Sequence, residues 1–163
     1  MANNKPKKPN PPKQQGQPNQ PNKQSNQSNK PIDQQIVDYI KLLSSFQHYE
    51  IRKLVEHAEQ LGPYLKQQKL ETNQIRKFLD AINRVKTKLA QNAEQKDLFK
   101  SIEPEIVLLK PKLAYAAARE SAAKPLNEVI STAIDKVHDP KDFNYLVEFV
   151  EAIVAYHKAE GGK

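Results

Sequence analysis

ETNQIRKFLDAINRVK (residues 71–86) decides the fold class, because its apolar residues keep a single period. Ile75, Phe78, Leu79, Ile82 and Val85 recur at three-and-four spacing, which gathers them on one stripe of a helix that must face a core. At about 100° per residue, Arg76, Lys77 and Arg84 project away from that stripe, and Lys88 extends the same surface one turn further. This basic side is either an ordinary solvated face or a surface that holds something anionic. Asp80 keeps the first reading open, since it lies four residues from both Arg76 and Arg84 and could pair with either.

Working outward, the same period recurs along the chain. Ile32, Ile36, Val37, Ile40 and Leu43 outline a first helix. Ile51, Leu54, Val55, Ala58 and Leu61 outline a second that should end or kink near LGPYL (residues 61–65). The third helix begins after Thr72, read as its N-cap, and continues through Leu89. A fourth region starts around Glu103-Pro104, where proline suits a first turn, and a kink or break is expected at Pro111. Leu126, Val129, Ile130, Ala133, Ile134 and Val137 give a fifth helix. Asp139-Pro140 then reads as the cap and first turn of a sixth, carrying Phe143, Leu146, Val147, Val150, Ile153 and Val154. Alternating strand patterns are absent, so the expected fold is all-α, a compact bundle of five or six helices.

A length of 163 residues suits one domain with a real core. Residues 1–31 hold seven of the 12 prolines and 13 Asn and Gln, with no isoleucine before Ile32. With no apolar surface to offset the entropy of ordering, they read as a disordered tail preceding a single helical domain over residues 32–160. The tail is either a solubilising leader or a lysine-bearing arm that touches nucleic acid loosely.

The net charge of +7 comes mostly from this tail, whose six lysines face no acid, whereas residues 32–163 carry 20 basic and 19 acidic groups. Within the domain, residues 76–124 hold 11 basic against 6 acidic groups, and residues 125–163 hold 4 against 7. A basic middle therefore sits beside an acidic end.

The chain contains no cysteine, which removes disulfides, thiolate metal sites and cysteine nucleophiles and fits a cytoplasmic location. The polar N-terminus and the absence of any run near the ~20 apolar residues needed to span a bilayer argue against export and membrane insertion. Gly62 is isolated between Gly16 and Gly161, so the domain has no phosphate-cradling glycine loop. His48, His57, His138 and His157 show no metal-ligand spacing. Glu56 and Glu59, or Glu103 and Glu105, are better explained by exposed faces and helix starts than by acid–base chemistry. Neither an enzyme activity nor a metal or other cofactor is expected.

LETNQIRKFLDAI (residues 70–82) and LLKPKLAYAAARE (residues 108–120) together resemble the small helical subunit of the type III-A CRISPR interference complex, the Csm complex. VEHAEQLGPYLKQQKL (residues 55–70) and FVEAIVAYHK (residues 149–158) are similar to the family's preceding and closing helices, so the resemblance runs over about residues 34–158. It implies a non-catalytic subunit of an antiviral ribonucleoprotein. Several copies of such subunits line the path of guide RNA and target RNA, beside larger subunits that hold the guide. Base pairing then supplies the sequence specificity, and this chain would contact the target backbone without reading bases.

On that resemblance the RNA-binding candidates are Arg76 and Lys77, inside the first motif, and Arg84, beyond it with Lys88. From the second motif come Lys112 and Arg119, with Lys110 as a weaker third. Lys112, Tyr115 and Arg119 share a stripe at i, i+3, i+7, so two cations could hold phosphates while the ring stacks or packs between them. The preferred reading instead places Tyr115 in the core with Leu108, Ala118 and Ala122. A helical protein–protein adaptor and a stand-alone nucleic-acid-binding protein remain the alternative functions.

Overall fold

The computed structural model describes residues 1–2, 30–91 and 97–161. The expected disordered tail lies almost wholly outside them. Among the described residues there are seven α-helices and no strand: α1 (Ile32–Leu42), α2 (Ile51–Gln67), α3 (Thr72–Gln91), α4 (Leu98–Val107), α5 (Leu109–Arg119), α6 (Lys124–Ile134) and α7 (Pro140–Ala159). Short 3₁₀ turns at Phe46–His48 and Ser121–Ala123 complete the path. The all-α bundle stands, and the seventh helix comes from division of the fourth region.

Packing neighbours close a circuit, in which α7 meets α2, α2 meets α1, α1 meets α6, α6 meets α5, α5 meets α4, α4 meets α3, and α3 returns to α7. Helix α7 is the most deeply set: Phe143, Leu146, Val147, Phe149, Val150 and Ile153 are all buried. A helix buried this broadly needs neighbours on several sides, which α2, α3 and the Phe46 turn provide. The Asp139 carboxylate caps it by accepting from the Asp142 N–H at 2.9 Å.

Asp142 is itself buried, and it accepts from the Ser45 hydroxyl at 2.5 Å and from the N–H groups of Gln47 and His138, each at 2.8 Å. Burial alone would raise its carboxyl. The hydrogen bonds outweigh that cost and hold it below the usual carboxylate range.

Packing decides several local expectations. Helix α2 ends at Gln67, two residues beyond LGPYL, and Pro63 lies inside it, where the fully buried Leu61 and Leu65 anchor the chain on both sides of the lost backbone donor. Gly62 permits this by close approach, since a Cβ there would sit 2.6 Å from the His157 backbone nitrogen. Thr72 is the first helical residue of α3 rather than its cap; it is buried, with its hydroxyl 3.4 Å from His157 Nδ1. Helix α4 begins at Leu98, not at Glu103-Pro104, because Leu98, Ile102 and Ile106 form an i, i+4, i+8 anchor that carries Pro104 into the helix interior.

A further correction concerns the break. It falls at Leu108, not at Pro111, for a steric reason: a proline ring excludes the carbonyl four residues earlier, here Val107, and offers no N–H to it. Pro111 becomes the third residue of α5, where a backbone N–H would have no helical partner in any case. Val137 is buried but lies beyond the end of α6.

Candidate nucleic-acid interface

The stripe that fixes α3 in the core also fixes what it shows to α5. With Ile75, Phe78, Ile82 and Val85 buried, Gln74, Lys77, Ala81 and Arg84 come to the margin of that stripe. On α5 the buried residues are Leu109, Leu113 and Ala117, at strict i, i+4, i+8 spacing. Lys112, Tyr115, Ala116 and Arg119 therefore rise beside them on the flank toward α3.

Between the two helices lies a groove of about 680 Å³. Phe78, Leu109 and Leu113 form its floor, while Ala81 and Ala116 keep its walls low. Its rim carries Lys77 and Arg84 from α3, Lys112 and Arg119 from α5, and a carboxylate from Glu120.

Lys77, Arg84, Lys112 and Arg119 are thus brought together, whereas Arg76 is exposed on α3 without lining the groove. Among the described residues none of these five forms an ion pair, and Asp80 joins neither Arg76 nor Arg84. The flanking cations behave differently: Lys88 Nζ lies 2.7 Å from Glu105 Oε1, and Lys110 Nζ lies 2.5 Å from Asp135 Oδ1. The positive charge left without an acid partner on this part of the surface is concentrated on the groove.

The placement of Tyr115 in the core is overturned. Its side chain is 65% exposed, and Leu108 is 55% exposed, because the register of α5 gives the core to Leu109, Leu113 and Ala117. The Arg119 guanidinium carbon lies 5.7 Å from the centre of the Tyr115 ring, within cation–π range. Sequence reasoning also passed over Gln74 and Phe78 as groove residues. The i, i+3, i+4 relation linking them to Lys77 and Ala81 was the available signal.

The remaining chemistry is structural. His57 is buried and pushed down to about 4, chiefly by burial, with Lys53 acting in the same direction. Burial also raises the Tyr49 hydroxyl, which shares a hydrogen bond of 2.5 Å with His57 Nδ1. His157 Nε2 donates to the Leu70 carbonyl at 2.8 Å, tying α7 to the turn before α3. Among the described residues no group of three or more His, Cys, Asp and Glu comes together to hold a metal ion. What the groove offers is cations, an exposed ring and an apolar floor, a combination suited to holding phosphates and packing a flat ring.

Residues 48–163 match the model of the family described as Csm2 Type III-A. The chain belongs to the Csm2 type III-A family. The match takes in α2 to α7, including both groove helices, but starts later than residue 34 and leaves α1 outside. A curated relative, "CRISPR system Cms protein Csm2" of Enterococcus italicus, is 34% identical over 96 residues. That alignment covers 55% of this chain and 66% of the relative, just under two thirds of its length. No solved structure matches the chain. Among the described residues no helix is long and apolar enough to cross a membrane.

Proposed function

We propose that this protein is a non-catalytic small subunit of an RNA-guided type III-A CRISPR antiviral effector complex, working in the cytoplasm. It lines the guide–target RNA path and holds the target backbone in the groove between α3 and α5. The observation that carries this reading is the convergence of Lys77, Arg84, Lys112 and Arg119, none with an acid partner among the described residues, within the part of the chain matched by the family. Arg76, exposed on α3 next to Lys77 in the sequence, adds charge to the same helix.

Phosphate contacts position an RNA without reading it, so specificity stays with base pairing between guide and target. Partners are the two RNAs, the other subunits and further copies of this chain.

The test is target-RNA binding by the assembled complex across a salt series, with guides of two unrelated sequences. Replacing Lys77, Arg84, Lys112 and Arg119 by alanine should weaken both targets equally. It should also flatten the slope of log affinity against log salt by roughly 0.7 per lost contact, up to about 3 in all. An unchanged slope with intact assembly refutes the phosphate role. Native mass spectrometry of the same complex reads the copy number, and a single copy overturns the lining role.

A further inference from the structure

We propose that the groove between α3 and α5 takes an unpaired RNA nucleotide, with the base stacked on Tyr115 over the apolar floor and the flanking phosphates held on the cationic rim. This deepens the phosphate-binding reading and rests on it.

Contact with phosphates alone needs exposed cations and nothing else. Here the cations border a depression floored by Phe78, Leu109 and Leu113, which suits a flat, largely apolar ring better than a phosphate. Its volume of about 680 Å³ falls within the ordinary range for sites that enclose a small organic ligand. A base still paired inside a duplex presents only its edges, so the nucleotide that enters must be unpaired.

Tyr115 supplies the stacking surface. A large ring that is 65% exposed keeps most of its area available, and Arg119 at 5.7 Å restrains its orientation, so less side-chain freedom is lost when a base arrives. Two groove residues can meet the polar edge of the base. The Gln74 amide oxygen accepts from the Glu71 N–H at 3.2 Å, which directs that side chain, and Glu120 lines the groove with a carboxylate acceptor. Stacking on an aromatic side chain tolerates any base, in keeping with a subunit that does not choose sequence.

The experiment uses the assembled complex with 2-aminopurine placed at successive positions, first in the target strand and then in the guide strand. Fluorescence is read for the unaltered protein, Tyr115→Phe and Tyr115→Ala. At least one position should be quenched by the unaltered protein and by Tyr115→Phe, and should brighten with Tyr115→Ala. The strand carrying that position names the source of the nucleotide. Tyr115→Ala should weaken binding by roughly tenfold, the scale of one lost stack, and leave the salt slope unchanged because no charge is removed.

If no position in either strand responds to Tyr115→Ala while the four-cation variant still flattens the slope, stacking is overturned and phosphate binding stands. If the slope does not respond either, both readings fall. Hydroxyl-radical footprinting that finds Tyr115 equally protected with and without RNA would assign the groove to a protein neighbour and overturn the proposal.

Discussion

Lys110 Nζ lies 2.5 Å from Asp135 Oδ1, which draws the cation beside Pro111 onto the end of α6 and away from the groove lined by Lys112. Lys88 is likewise engaged, 2.7 Å from Glu105 Oε1. These two lysines are the natural controls for the groove cations. Lys88→Ala and Lys110→Ala should leave the salt slope of RNA binding as it is. Each should change stability by no more than about 1 kcal/mol, the usual scale of a surface pair. A slope that flattens with Lys110→Ala would place RNA on the α6 side of α5 instead.

Acid should loosen the bundle through His57. Burial lowers its folded-state value to about 4, below the ordinary 6.5. Between those two values the unfolded chain binds a proton that the folded chain does not, so stability is lost as pH falls through the window. The loss from this group is of the order of 3 kcal/mol once pH is below both values. His157, also lowered chiefly by burial, acts in the same direction. Urea unfolding at a series of pH values checks this, and His57→Gln should flatten the dependence. A midpoint that stays constant from pH 6.5 to pH 4 contradicts it.

Gly62→Ala should destabilise the protein by about 1–3 kcal/mol, the cost of overpacking a core contact. The added carbon would meet backbone, 2.6 Å from His157 N and 2.9 Å from Tyr156 C, so α2 and α7 must separate to admit it. Thermal melting measures the change. A melting temperature equal to that of the unaltered protein would mean that the two helices can part freely.

Deleting residues 1–29 should leave helicity and melting temperature nearly unchanged, because their composition offers no apolar surface to the core. Lys30 should stay, since its carbonyl accepts from Gln35 Nε2 at 2.7 Å and its ammonium lies 2.7 Å from Asp38 Oδ2. Circular dichroism and thermal melting of the truncated chain decide the point. A large drop in melting temperature would show that the leader is docked.

Most of the fold is legible in the apolar period. Ile75, Phe78, Ile82 and Val85 are buried, as three-and-four spacing requires, and Asp139 caps α7 as its place before Pro140 suggests. What escapes local reading is competition between local rules and packing. A Gly-Pro pair reads as a helix end or kink, and at residues 62–63 burial of Leu61 and Leu65 carries the helix on to Gln67. In α5 two stripes compete for the core, one with Leu109 and Leu113, the other with Leu108 and Tyr115. Nothing in the short run of alanines at 116–118 decides between them, and the tertiary setting selects the first. The cations on α3 and α5 could be identified one helix at a time, but their convergence depends on how those helices are brought together around α4.

The interruption at Leu108 has an architectural consequence. Without it, residues 98–119 would form one straight rod of about 33 Å, at 1.5 Å per residue. A rod extending the line of α4 would carry the second motif wherever α4 pointed, with no means of turning it back toward α3. Pro111 ends that rod at Leu108 instead, so the separate helix that bears Lys112, Tyr115 and Arg119 has its own seat on α6. The second motif thus owes its separate placement to a residue that donates no backbone hydrogen bond and carries no charge.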